Sequence, residues 1–216
     1  MSDRVCIGSG QTSQRRVSAA DILTCCADCG QGCQGGEADL AFASWKSVGF
    51  VTGNEWGNTK WCRPYDWASC AHYVTVTGLN DCAKIPMNKT PDCRTSCVDG
   101  YTTAYDKDKI KAKSYATFQG ASNMMNEIYH NGPIVATFTL YEDFFTYKSG
   151  VYTHATGAAS GDHSIKIIGW GTDTVYGDYW LCVNSWNTNW GDNGLVKITR
   201  GKSMCGIEDD AVSGMA

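Results

Sequence analysis

Two separated segments, His163 and Asn184-Ser185-Trp186, carry the side chains from which a proton relay can be built. A free imidazole titrates near ~6.5, so one histidine can take a proton from a nucleophile and return it to a leaving group at acidic or neutral pH. The amide oxygen of Asn184 can accept the other ring N–H and fix the ring's angle, and the indole of Trp186 can shield that hydrogen bond from water. The nucleophile such a pair serves is a thiolate, whose pKa the imidazole lowers. The chain has 12 cysteines, yet none stands upstream in the setting that role needs.

Other segments suit binding. Gly35-Gly36 would let an extended peptide backbone approach and pair like an added strand, or form an ordinary glycine turn. Asp209-Asp210 on its own reads as a solvated charge pair. His130 and His154 lack a chemical context and are assigned surface or packing roles.

The elements that must position these residues differ between the two halves. Up to about Tyr105 the chain is cysteine-rich and irregular, with a short helix opened by Ser18 and a second in which Ala38, Ala41, Phe42 and Trp45 recur at helical spacing. Beyond Tyr115 a helix around Asn123 to Tyr129 stops at Asn131-Gly132-Pro133. Ile134, Ala136, Phe138 and Leu140 then alternate with Val135, Thr137 and Thr139, and further strands are expected at 164–168, 179–183 and 195–199. Antiparallel strands joined by loops imply a barrel or curled sheet.

A chain of 216 residues can bury a core as one large domain or as two lobes. Its formal net charge of -4, with no basic run, argues against a nucleic-acid partner, and no apolar run is long enough to span a membrane. Most cysteines fall between Cys25 and Cys97, which reads as disulfides made in an oxidising compartment, and Asn88-Lys89-Thr90 would be a glycosylation acceptor there. Such chemistry without a signal peptide leads to the expectation that the true N-terminus is missing.

Gly32-Cys33-Gln34-Gly35-Gly36, Tyr147-Lys148-Ser149-Gly150-Val151-Tyr152, Asp162-His163-Ser164, Gly169-Trp170-Gly171, Tyr179-Trp180-Leu181, Asn184-Ser185-Trp186-Asn187, Trp190-Gly191-Asp192-Asn193-Gly194 and Cys205-Gly206-Ile207-Glu208 occur in order across essentially the whole chain. Together they resemble the papain superfamily of cysteine peptidases, peptidase C1. Cys25-Cys26 and the long insert from Cys62 to Cys97 are similar to its cathepsin B-like branch. The resemblance implies an α+β, two-lobe fold: a truncated helical, cysteine-rich lobe over about 1–110, with an insert at 62–97 like an occluding loop, and an antiparallel β-barrel lobe over about 111–216. It implies an N-terminally incomplete chain, because the family's nucleophile, in a Cys-Gly-Ser-Cys-Trp context, and its oxyanion Gln would lie before Met1.

By the same resemblance His163 is the general base and acid, Asn184 its orienting partner, and Gly35, Gly36, Ser164, Trp186 and Asp210 line the substrate site, Asp210 receiving Arg or Lys two residues before the scissile bond. His72 falls where the family has a pair of histidines that bind a substrate's C-terminal carboxylate. Here the pair is His72-Tyr73, which favours an endopeptidase. Asp162 and Ser164 also depart from the family's glycine and alanine. The implied disulfides are Cys25–Cys93, Cys26–Cys29, Cys62–Cys97 and Cys70–Cys82, leaving Cys6, Cys33, Cys182 and Cys205 unpaired.

The expected function is cathepsin B-like peptide-bond hydrolysis without cofactor or metal, by a monomer of the lysosome or extracellular space. Its partners would be peptide or protein substrates and cystatin-type inhibitors. The chain as written is expected to be inactive. Two rivals come from other classes: a secreted, non-catalytic homologue that binds peptides or inhibitors, and a zinc module built on Cys25, Cys26, Cys29 and Cys33.

Overall fold

A computed structural model describes residues 1–86 and 89–216, so the acceptor Asn88 lies outside the described residues. The chain divides into two compact units: Met1–Ser69 with Pro86–Ala116 and Ser213–Ala216, and Cys70–Ile85 with Thr117–Val212.

The first unit carries helices α1 (Ser2–Gly8), α2 (Ala19–Cys25), α3 (Ala38–Ser47) and α4 (Tyr105–Asp108). Ser18 opens α2 as expected: its hydroxyl accepts from the Asp21 N–H at 3.1 Å and donates to the Arg63 carbonyl at 2.7 Å. Helix α3 buries Phe42 and Trp45, while Ala38 and Ala41 are only half-buried. Helix α1, which the sequence reading did not anticipate, has a single short turn-rich stretch and no side-chain cap to announce it.

Two buried carboxylates hold the irregular segments of this unit. Asp21 accepts from the Val51 N–H at 3.1 Å and the Tyr105 hydroxyl at 2.6 Å. Asp108 accepts from the Thr52 N–H and hydroxyl, both at 2.6 Å, from the Tyr101 hydroxyl at 2.8 Å and from Arg15 at 3.1 Å. Three disulfides, Cys25–Cys93, Cys26–Cys29 and Cys62–Cys97, add covalent closure. Loop sequence that cannot bury its backbone polar groups in helix or sheet must satisfy them by such side chains.

The second unit contains a two-stranded parallel pair, β1 (Cys70–Ala71) and β2 (Asn80–Asp81), closed by the Cys70–Cys82 disulfide. A larger sheet comprises β3 (Ser114–Phe118), β4 (Ile134–Tyr141), β5 (Val151–Tyr152), β6 (Ala159–Asp173), β7 (Gly177–Val183), β8 (Leu195–Thr199) and β9 (Ala211–Met215), in the order β3-β9-β4-β6-β7-β8-β5. Its strands β3 and β9 run across the division of the chain. In β4 the expected alternation is met: Ile134, Ala136, Phe138 and Leu140 are buried and their neighbours are not. Helix α5 (Ala121–Asn131) buries Met124 and Ile128 against this sheet's core and ends at Gly132, whose φ of 102° a residue with a Cβ rarely adopts.

One expectation needs correction. The sheet is open rather than a closed barrel, because its order ends on β3 and β5, and β5 is a two-residue strand paired in parallel with β8. Closure would require strands tilted and staggered around a full ring of pairings. Within the second unit, Cys70–Ile85 lies apart in sequence from Thr117–Val212. That piece is tied there by the Asn187 side-chain N–H, which donates to the Cys70 carbonyl at 2.5 Å.

Replacing Asp108 by Ala would leave the buried Thr52 N–H without an acceptor and its hydroxyl with only the Tyr101 oxygen at 3.4 Å. A destabilisation of ~3 kcal/mol is expected, read as a lower urea midpoint with an unchanged slope; an unchanged midpoint would show that the clamp is dispensable.

Candidate active site

Strand register sets the position of His163. It lies opposite Phe138 in the β4–β6 ladder, so the inward face of β4 continues through the imidazole, whose ring sits 5.8 Å from that of Phe138. Asn184 is the first residue after β7, and its N–H donates to the Gly194 carbonyl at 2.9 Å, which fixes the turn. Across β6 and β7 the Nε2 of His163 reaches the Oδ1 of Asn184 at 2.9 Å. The Ser185 N–H donates to the same oxygen at 2.8 Å, so that end of the amide must be the acceptor. An acceptor there requires the proton on Nε2 and leaves Nδ1 as the basic nitrogen.

Trp186, which is buried, lies over this pair with ring centres 5.1 Å apart. It packs in turn on Trp190 and Phe144 at 5.0 and 5.7 Å. The Asn184 Nδ2 is buried without a hydrogen-bond partner among the described residues, at a cost of ~1–3 kcal/mol that the enclosing aromatic wall must offset. Burial pushes the His163 pKa below its ordinary 6.5, and the Asn184 hydrogen bond works in the opposite direction. Because the unfolded chain binds this proton at higher pH than the folded one, His163 subtracts stability as pH falls below that value.

His72 also stacks on Trp186, at 6.0 Å, and its pKa is lowered by burial and then by the charge of His163. Tyr73, at a φ of 56°, lies face to face with Phe145 at 4.3 Å and against Trp186 at 4.9 Å. Ser164 sits opposite Thr137 with their hydroxyls 3.2 Å apart, and Asp162 accepts from the Thr139 hydroxyl at 3.2 Å. Asp210 is exposed, and its backbone carbonyl accepts from the Thr137 N–H at 3.1 Å. The second unit thus brings His163, Asn184, Trp186 and His72 together, while Ser164 and Asp210 border β4.

Gly35 and Gly36 lie in the first unit. Gly36 approaches the Cys29 carbonyl so closely that a Cβ would meet it at 2.4 Å, whereas Gly35 faces open space at a φ of 113°. Gly36 is therefore required by packing and Gly35 by its conformation. His130 is exposed on α5, and His154 has its Nδ1 3.1 Å from both oxygens of Asp143. Burial opposes charge on Asp143, but hydrogen bonds from Ala155, Tyr152, Thr156 and His154 hold its carboxyl far below the usual range.

The zinc alternative fails, since Cys25, Cys26 and Cys29 are all in disulfides. Donor atoms of Cys70, His72 and Cys82 also lie within 4.8 Å of one another, but both sulfurs are spent on the Cys70–Cys82 bond. Of the free thiols in this unit, Cys182 is raised well above its ordinary pKa by burial, and Cys205 is pushed up to about 11 by burial and the charge of Asp143. Neither environment favours a thiolate.

Papain family cysteine proteases match this chain over residues 1–215. The chain belongs to the papain family of cysteine proteases. A "Gut-specific cysteine proteinase" of Caenorhabditis elegans is 45% identical over 100% of the chain and 63% of its own length. A "Cathepsin B-like cysteine proteinase" of Schistosoma japonicum is 42% identical over 100% and 62%. The solved structure of "proCathepsin B S9 from Trypanosoma congolense" superposes with a TM-score of 0.79 at 33% identity, covering 99% of this chain and 64% of that one. The α+β fold of this chain is therefore the papain-like fold, and its homologues are cathepsin B-like. The chain spans less than two thirds of the length of these relatives.

Within the papain-like frame, sequence reasoning gave Asn187 no role of its own and missed Phe145. Asn187 sits at a φ of 61°, a left-handed conformation asparagine tolerates, so its place directly after Trp186 was a usable signal. Phe144-Phe145 held another: Phe144 is fully buried, and Phe145 is left to meet Tyr73. Replacing Asn184 by Ala removes the interaction that raises the His163 pKa, so an NMR titration should show a further downward shift. An unchanged or higher value would mean that the hydrogen bond does not bear on the ring.

Proposed function

We propose that this chain carries the proton relay of a cathepsin B-like cysteine endopeptidase. The supporting observation is the 2.9 Å hydrogen bond from His163 to Asn184 in a chain matched by the papain family over residues 1–215. With Nε2 held by Asn184, Nδ1 takes the proton of an attacking thiol and then gives it to the departing amine, while the substrate carbonyl carbon is held as a thioester. Asn184 keeps the ring in that tautomer through both transfers, and Trp186 keeps water from the hydrogen bond.

An endopeptidase is favoured over an enzyme that trims C-terminal dipeptides. Tyr73 offers no cation for a terminal carboxylate, and His72, its pKa lowered by burial and by His163, is mostly neutral near pH 7. Gly35 and Gly36 would admit the substrate backbone, Ser164 and Trp186 would line its path, and exposed Asp210 would favour Arg or Lys two residues before the scissile bond. Peptide or protein substrates and cystatin-type inhibitors are the partners, and the protein acts as a monomer. Four disulfides support the secretory pathway, with a lysosomal or extracellular destination.

The 216 residues alone do not turn over peptides by this route, because Cys182 and Cys205, the free thiols of the unit that holds His163, disfavour the thiolate. They can bind substrates or inhibitors without cutting. A fluorogenic peptide with Arg at the second position before the scissile bond, assayed with a thiol reductant, should stay intact with this chain. It should be cleaved by the protein at its relatives' length, with His163→Ala lowering kcat/KM by ~10²- to 10⁴-fold. Thiol-dependent turnover by the 216-residue chain that His163→Ala abolishes would refute its inactivity, and full activity of the longer variant would refute the relay.

A further inference from the structure

The first unit holds a cavity of about 220 Å³ whose lining includes Trp56, Arg63, Tyr65, Asp66, Arg94 and Val98. Its walls are covalently braced. Cys62–Cys97 joins the segments that carry Arg63 and Val98, and Cys25–Cys93 adjoins Arg94. A site with fixed walls loses little freedom when it is filled.

The polar lining is only partly satisfied from within. Arg63 is 2% exposed; its Nη1 donates to the Arg94 carbonyl at 2.6 Å and its Nη2 to the Thr24 hydroxyl at 3.3 Å, but its Nε is buried without a hydrogen-bond partner. Asp66 accepts from Arg94 Nη2 at 2.6 Å through Oδ1. Its Oδ2, 3.8 Å from Arg63 Nη2, is likewise buried and without a hydrogen bond. Each buried group left without a partner in a native interior calls for a reason, and two residues of this lining carry such a group. The Arg94 side chain is 62% exposed and Trp56 61%, so a guanidinium and an indole of this lining are both accessible to a ligand.

Charge decides the class of ligand. A simple anion would meet the Asp66 carboxylate beside the guanidinium groups, and a simple cation would meet two arginines. A molecule bearing both signs satisfies each end. The volume is below the ~300–1,000 Å³ of pockets for drug-sized ligands, which limits the occupant to roughly one amino acid. We propose that this cavity binds a zwitterion of single-amino-acid size with an apolar side chain, its carboxylate on Arg94, its ammonium on Asp66 and its side chain against Trp56. The site uses none of the residues of the proton relay and stands independently of it.

The test is a titration of the isotopically labelled chain with L-phenylalanine, N-acetylphenylalanine, which lacks the ammonium, and phenylalaninamide, which lacks the carboxylate. Phenylalanine should shift the Trp56 indole N–H saturably with a Kd of about 1 mM, and each blocked analogue should bind about 10-fold more weakly. Arg94→Ala should weaken phenylalanine by a similar factor while leaving the amide's affinity unchanged. Should that variant fail to fold, exposed Trp56→Ala, read through the backbone signals of residues 94–98, serves instead and should lose about 10-fold. Absence of saturation by about 50 mM, equal binding of the three compounds, or unchanged affinity in the folded variant would overturn the proposal.

Discussion

A single hydrogen bond to Asn184 sets both the tautomer and the orientation of the His163 imidazole, the two properties on which the proposed proton relay depends. Three features of the second unit position that contact. The β4–β6 register puts His163 opposite Phe138, the β6–β7 pairing brings the end of β7 beside it, and the turn pinned from Gly194 aims the amide. A slip of one residue in either ladder would send the ring to the opposite face. The core beneath, with Trp180 donating to buried Glu208 at 2.9 Å and Trp190 donating to the Phe145 carbonyl at 3.0 Å, holds the register.

The first unit solves a different problem. With little sheet and short helices, it ties its segments through the carboxylates of Asp21 and Asp108 and through three disulfides. The cysteine-rich insert is shared between these two solutions. Its ends are fastened in the first unit by Cys62–Cys97 and Cys25–Cys93, and its middle in the second by Cys70–Cys82 and Asn187. Next to His72, the ring of Tyr73 is held by its stack on Phe145.

Legibility followed the range of the interaction. The alternation in β4, the Ser18 cap and the stop at Gly132 are local patterns, and each was read correctly from neighbouring residues. The pairing of His163 with Asn184 joins distant positions and was reached through their motif context, which carries long-range information that periodicity lacks. Where neither helped, the reading failed. The two-residue β5 and its parallel pairing left no periodic trace, so an open sheet was taken for a barrel. The stacking of Tyr73 and the open acceptor of Asp66 depend on side chains brought together only by the fold.

The most direct measurement is the tautomer of His163, read from long-range ¹H–¹⁵N correlations of the imidazole in the purified chain above its pKa. The proton should reside on Nε2 and exchange slowly with water, with Nδ1 unprotonated. A proton on Nδ1, or a ring whose two nitrogens average, would contradict the relay geometry on which this account rests.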